Sequence, residues 1–298
     1  MKHDNKIKIA FVGGDMRAAT AATKLADSSA QVCAWSVPKS SVVTRVKYCD
    51  SLIDAVENAE ATVLPLPASL DGYMLNCKCE VCENKIPLVQ IIDSVKPGSI
   101  IIGGKLPHSF VEYAKGKNIA TVDYFESESF QIKNAYTTAE AAIYVAMNEL
   151  TKNIRGSRIA ITGYGRISRQ LVRLLRALGA RVTVAARKDS DLSLAELEGC
   201  QTLKLYSEPI SKLTSGYDVI YNTVPQILFD EAFLAAVDSS TIMIELASAP
   251  GGIDVSAARK LHSKVLWAPS LPGKYAPDSA GELIAQCVQD ILKAEDIL

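Results

Sequence analysis

Short apolar runs and longer stretches of helical period alternate along almost the whole chain, the pattern of strands and helices in a parallel, doubly wound fold. Strands are expected at Lys6–Val12, Gln31–Trp35, Thr62–Leu66, Ser99–Ile102 and Ile119–Tyr124. A helix is expected over Met16–Asp27. Another covers Tyr136–Leu150, with Ala139, Ala142, Ile143, Ala146 and Leu150 stepping by three or four along one face. A second series opens at Arg158–Thr162 and continues through strands at Arg181–Ala185, Val219–Asn222, Thr241–Glu245 and Lys264–Ala268. The helix after the first of these carries Ile167, Leu171, Leu174, Leu175 and Leu178 on one stripe, with Gly179 as its stop. A closing helix runs from Ser279 to about Ala294, its apolar positions including Leu283, Ile284, Cys287 and Val288.

The fold expected is therefore α/β: two Rossmann-like doubly wound domains with a cleft between them. Residues 1–135 form a substrate domain, joined by the terminal helix 279–298. Residues 136–278, with the connecting helix 136–150, form a dinucleotide domain. The 298 residues are enough for each domain to bury its own core. Lys plus Arg number 32 against 33 Asp plus Glu, a net charge of -1 that argues against a nucleic-acid binder. No apolar run is long enough to span a bilayer, and no leader-like segment precedes the first strand, so a cytoplasmic protein is expected. Its seven cysteines are then read as reduced thiols. Cys77, Cys79 and Cys82 crowd one polar loop, where exposed, oxidation-prone thiols are favoured over zinc, which wants a fourth ligand such as His108 or Cys49. No metal is expected.

The most specific motif is Gly163-Tyr164-Gly165-Arg166-Ile167-Ser168, lying between an apolar strand and an amphipathic helix. Gly163 suits the tight turn, and Gly165 lets the backbone approach a pyrophosphate at the helix N-terminus. Ser168 stands where a third glycine or alanine is usual. At the end of the next strand an NAD site carries Asp or Glu; here Ala185-Ala186-Arg187-Lys188 follows instead. Arg187, helped by Lys188, suits a 2′-phosphate, so NADP(H) is the expected cofactor. Thr223, Val224, Pro225, Ala247 and Ser248 follow two strand ends and are expected to line the nicotinamide side, or to make simple turns. In the first domain, Gly13-Gly14-Asp15-Met16-Arg17 and Gly103-Gly104-Lys105 each look like a turn presenting a cation. Together Arg17 and Lys105 suggest an anionic small substrate.

The Gly13–Arg17 opening, Tyr221-Asn222-Thr223-Val224-Pro225, the run ELASAPGGID from Glu245 and the run WAPSLPGKYAPDSAGE from Trp267 resemble the family of dipicolinate synthase A subunits. The resemblance implies a two-domain NADP-dependent oxidoreductase of sporulating bacteria, built like hydroxyacid and alanine dehydrogenases and working in the mother-cell cytoplasm. It implies oxidation of a dihydrodipicolinate-type precursor to dipicolinate and, for a partner, a smaller flavoprotein-like B subunit; a homo-oligomer is also expected. Two departures stand out: the Cys-rich loop at 77–82, and Ser270 where glycine is expected. Arg17, Lys105 and Arg166 are candidate carboxylate partners, Arg166 serving alternatively the cofactor pyrophosphate. Glu140, at the start of the connecting helix, and His108 are alternative proton acceptors. Asn134, Thr138 and Ser248 are candidates to orient substrate. The alternatives are an NAD(P)-dependent hydroxyacid or amino-acid dehydrogenase, constrained by the presence of only His3, His108 and His262, and a non-catalytic NADP-binding subunit.

Overall fold

The computed structural model describes residues 7–28, 30–39, 44–78 and 86–298. The chain divides into two compact units, Met1–Asn134 with Ala276–Leu298, and Ala135–Tyr275. In the first, β1 (Lys8–Val12), α1 (Met16–Ser28), β2 (Gln31–Trp35), β3 (Lys47–Tyr48), α2 (Leu52–Val56), β4 (Ala61–Val63), α3 (Leu88–Ser94), β5 (Ile100–Gly103), α4 (His108–Gly116) and β6 (Ala120–Asp123) precede α5 (Glu128–Glu149). The second holds β7 (Arg158–Thr162), α6 (Arg166–Ala177), β8 (Arg181–Ala186), α7 (Asp189–Leu197), β9 (Gln201–Lys204), β10 (Val219–Asn222), α8 (Glu231–Ala236), β11 (Ile242–Glu245), α9 (Val255–Lys260), β12 (Val265–Trp267) and α10 (Leu271–Tyr275). The terminal α11 (Pro277–Ala294) returns to the first unit.

Both sheets are parallel and six-stranded. Their orders, β3-β2-β1-β4-β5-β6 and β9-β8-β7-β10-β11-β12, are the same doubly wound order. The reversal of strand order therefore falls between β1 and β4 in one unit and between β7 and β10 in the other. Burial on both faces explains the continuous apolar runs. Ile9 and Phe11 enter one core of the first unit, whereas Ala10 and Val12 enter the other. In the second unit Ile159 and Ile161 face Leu171 and Leu175 of α6, and Ala160 faces the opposite core.

Helix α11 lays Ile284, Val288 and Leu292 into the same core as Ala18 and Leu25 of α1. Gly281 makes that approach possible: a Cβ there would lie 2.6 Å from the Arg17 carbonyl oxygen and from Thr20 Cβ. Thr20 also donates to Asp278 at 2.9 Å.

Three local features differ from the sequence expectation. The expected start of the long helix at Tyr136 is too late, because α5 begins at Glu128. Its first turns are anchored by Phe130, whose ring packs 5.2 Å from that of Tyr124, but Lys133 and Asn134 interrupt the apolar period there. Strands β3 and β9 were not expected; both are short, polar edge strands, with sequences KY and QTLK. The run Leu271–Tyr275, for which no helix was expected, is one short helix, and Ser270 before it adopts φ 56°, the left-handed conformation that glycine enters most easily.

Candidate cofactor and substrate sites

The β7–α6 turn has the geometry that the two glycines require. Gly163 sits at φ 84°, and a Cβ there would lie 2.7 Å from Thr223 Oγ1. Gly165 is the cap of α6 and offers no side-chain acceptor to the first-turn N–H groups. A Cβ on Gly165 would meet no atom within 4 Å, so the space before the helix is open. An uncapped helix start behind an open glycine fits a phosphate anion. Tyr164, by contrast, turns inward. It is buried, burial raises its hydroxyl above the ordinary range, and Arg169 lies 5.4 Å over its ring. Its backbone, not its side chain, is what it offers the turn. Ile167 packs partly buried against the core, and Arg166 is exposed.

Ser168 has a role that its place in the motif did not reveal. It is fully buried, and its hydroxyl shares a 2.8 Å hydrogen bond with Thr223 Oγ1. Thr223 in turn donates to the Thr162 carbonyl at 2.8 Å. The hydroxyl of Ser168 thus ties the helix start to the loop after β10, which a glycine or alanine would not do.

Beside this turn lies a polar network that sequence reasoning missed. Glu245 closes β11 with 1% of its surface exposed. Its Oε1 accepts from Asn222 Nδ2 at 2.8 Å and from the Ala247 N–H at 2.9 Å. Its Oε2 accepts from Asn222 Nδ2 at 2.9 Å, the Gly252 N–H at 2.8 Å and the Ile253 N–H at 3.1 Å. Asn222 Oδ1 accepts from Thr162 Oγ1 at 2.6 Å and from the Val224 N–H at 3.1 Å. The carboxyl ends of β7, β10 and β11 are therefore joined through side chains. The only sequence signal was a charged residue ending an otherwise apolar strand. Thr223 and Val224 are half-buried in this edge, as is Ala247, whereas Pro225 and Ser248 are exposed.

At the tip of β8, Arg187 and Lys188 are both exposed. The nearest following carboxylate, Asp189, pairs with Lys204. That leaves the tip basic.

The first unit revises the expected substrate cations. Arg17 is not a free cation presented by its turn. It is buried; Nε donates to Asp15 Oδ1 at 2.9 Å, and Nη2 donates to Asp15 Oδ2 at 2.9 Å and to the Leu66 carbonyl at 2.6 Å. Asp15, within the same turn, is the counter-ion of Arg17. Nearby Tyr124 is buried and donates to the Leu64 carbonyl at 3.4 Å; burial raises its hydroxyl well above the ordinary phenol range. Lys105 does lie at the surface, at φ 52°, with its ammonium 4.7 Å over the Phe125 ring. Its backbone N–H and that of Leu106 are held by the Asp123 carboxylate at 3.0 and 2.8 Å. Asp123, another residue not foreseen, is what shapes the Lys105 turn.

Of the proposed proton acceptors, His108 occupies the first turn of α4 and is exposed. Glu140 is also exposed; because α5 begins at Glu128, it lies mid-helix and not at the helix start. His262, the third histidine, lies in a turn past α9, at φ 51°. Asn134 is half-buried and Thr138 buried, both on α5. Cys77, expected as a reduced thiol, is disulfide-bonded. Cys79 and Cys82 lie outside the described residues. Among the described residues no cluster of three metal-ligating side chains occurs, and Cys49 is a free thiol.

Residues 8–125 match the family described as the N-terminal domain of the dipicolinate synthase A subunit. Over nearly its full length the chain is 27% identical to the A subunit of dipicolinate synthase from Bacillus subtilis strain 168, across 290 residues and 96% of both proteins. The chain is a relative of the dipicolinate synthase A subunit. The crystal structure of the Bacillus halodurans protein superposes with a TM-score of 0.82 at 27% identity, covering 96% of this chain and 97% of that one. Residues 119–254 match the NAD-binding domain of D-isomer specific 2-hydroxyacid dehydrogenases, the segment that contains the Gly163–Gly165 turn. An L-alanine dehydrogenase shares the fold, with a TM-score of 0.65 at 12% identity over 96% of this chain and 89% of that one. The fold is thus that of dehydrogenase-type oxidoreductases, with a nicotinamide-nucleotide domain. No helix among the described residues is long and apolar enough to cross a membrane.

Proposed function

We propose that the chain is the NADP-dependent component of a dipicolinate-forming oxidoreductase, acting on a dihydrodipicolinate-type dicarboxylate. The observation that carries the reading is the open, uncapped start of α6 behind Gly165, with the basic Arg187–Lys188 tip on the neighbouring strand. The first accepts a pyrophosphate, and Arg166 is the side chain suited to it. The second suits a 2′-phosphate: a guanidinium pairs with it in charge-assisted hydrogen bonds, and the carboxylate that would select a ribose hydroxyl is engaged by Lys204.

A bound nicotinamide supplies the hydride acceptor. Aromatisation of the substrate ring supplies driving force, so the chain's own contribution is alignment and proton removal. Thr223, Val224, Pro225, Ala247 and Ser248 present short side chains and backbone groups at the strand ends where the ring half of a dinucleotide lies. Lys105 is the candidate partner of a substrate carboxylate, because the Arg17 guanidinium is already compensated by Asp15. Asn134 and Thr138 are candidates for neutral contacts to substrate. Glu140 and His108, both in contact with water, remain the two proton acceptors to be tested. The partner is a flavoprotein-like B subunit, and the setting is the cytoplasm of a sporulating mother cell.

The test is a spectrophotometric assay of the purified chain, with and without the B subunit, using NADP⁺ or NAD⁺ and dihydrodipicolinate-type precursors. Formation of dipicolinate with stoichiometric NADPH supports the reading. Oxidation of 2-hydroxyacids without dipicolinate formation would replace it with a hydroxyacid dehydrogenase, and tight NADPH binding without turnover with a sensing subunit.

A further inference from the structure

We infer that Glu245 is a positioning residue that carries a buried negative charge beneath the nicotinamide region and biases the bound cofactor toward its oxidised form. The inference rests on reading the Ala135–Tyr275 unit as an NADP(H) site.

The charge follows from the hydrogen bonds. Both carboxylate oxygens accept from N–H donors, and neither has a carbonyl or hydroxyl acceptor to which it donates. A protonated carboxyl would have to place an O–H against one of these N–H groups, so the inventory is that of a carboxylate. A buried carboxylate is retained only when hydrogen bonds replace its water, and here the amide of Asn222 and the backbone N–H groups of Ala247, Gly252 and Ile253 do so. No lysine or arginine is among these partners: the charge is solvated by amide dipoles but not cancelled.

The placement follows from the topology. Ligands of a doubly wound sheet lie beyond the carboxyl ends of the strands, at the reversal of strand order. Here that is between β7 and β10, and β11 is the next strand outward. At about 4.8 Å between neighbouring strands, the end of β11 is roughly 10 Å from that of β7. Glu245 fixes the backbone at Ala247, Gly252 and Ile253 directly, and the loop after β10 through Asn222, which also holds Val224. Gly252 is packed so closely that a Cβ would lie 2.6 Å from the Val224 carbonyl oxygen. The two loops therefore form one unit with the carboxylate at its centre. The oxidised nicotinamide ring carries a positive charge that the reduced ring lacks. A buried anion below it favours the oxidised form.

The test is the separate measurement of the dissociation constants of NADP⁺ and NADPH by calorimetry on the full chain, without substrate. The wild type is expected to hold NADP⁺ more tightly than NADPH. Glu245→Gln removes the charge, and the preference for NADP⁺ should fall about tenfold, the scale expected for a unit charge at this separation in a protein interior. Glu245→Asp keeps the charge but shortens its reach, so both affinities should weaken together while their ratio is held. Equal weakening of both forms in Glu245→Gln would make the residue structural only and overturn the inference. Should either variant fail to fold, a wild type that prefers NADPH overturns it equally. A wild type that binds neither form would instead remove the site on which the inference rests.

Discussion

Replacing Gly163 by alanine tests whether the β7–α6 turn is as tightly specified as its geometry implies. The residue sits at φ 84°, where an L side chain costs about 1–2 kcal/mol. The new methyl would also lie 2.7 Å from Thr223 Oγ1 and 3.1 Å from Val224 Cγ2. Thr223 cannot swing away freely. Its hydroxyl donates to the Thr162 carbonyl and bonds Ser168 Oγ, both at 2.8 Å. Losing those two neutral hydrogen bonds costs about 1 kcal/mol each. The reduced freedom of the unfolded chain returns about 0.4–1 kcal/mol. The net expectation is a loss of about 2–3.5 kcal/mol. Urea unfolding would report it in a Trp35→Phe background, where Trp267 is the single tryptophan and lies in this unit. In a Thr223→Ala background the same glycine replacement should cost only about 0–1.5 kcal/mol, the backbone share less the unfolded-chain return. A loss below about 0.5 kcal/mol in the first background, or an equal loss in both, would refute the reasoning.

Arg187→Ala should weaken NADP⁺ by about tenfold or more while leaving NAD⁺ nearly unchanged, as loss of a charge-assisted contact requires; calorimetry showing equal loss for both would remove the 2′-phosphate assignment. Arg17→Ala strands the Asp15 carboxylate and should destabilise the first unit by about 3 kcal/mol in denaturant titration, with Asp15→Asn on top recovering part of it; an unchanged midpoint would mean that the pair is not formed. Burial pushes the Cys200 thiol from its ordinary 9.0 up to about 11. The thiol is therefore harder to ionise folded than unfolded, so its contribution to stability is full below pH 9 and is lost as pH rises through 11. Urea midpoints measured across that range should fall less steeply in Cys200→Ala than in wild type; identical slopes would exclude the thiol as a cause.

Elements whose side chains are governed by burial were legible from the amino-acid pattern. The apolar runs at Lys8–Val12 and Arg158–Thr162 and the stripe of α6 follow from faces that must be dry. Gly163 was legible for a related reason, since a left-handed turn leaves few alternatives. What escaped notice depends on pairings that a linear sequence does not display. Asp15 and Arg17 stand two residues apart, and nothing in that spacing says whether the guanidinium closes on its neighbour or faces a ligand. Glu245 and Asn222 are 23 positions apart and meet only because β10 and β11 are adjacent. The extra turns of α5 went unread because Lys133 and Asn134 break the stripe, although Phe130 anchors them. Ser168 looked like a blemish in a glycine motif; its hydroxyl is explained by Thr223, 55 residues away.

On this reading a phosphorylated dinucleotide seats its pyrophosphate on the backbone after β7 and its 2′-phosphate on the tip of β8. The deciding measurement is a crystal structure of the full chain grown with NADP⁺. The pyrophosphate is expected against the N–H groups of the Gly165–Ile167 segment, with the 2′-phosphate in contact with Arg187. Dinucleotide density at any other place, or an adenosine ribose that makes no contact with Arg187 or Lys188, would contradict it.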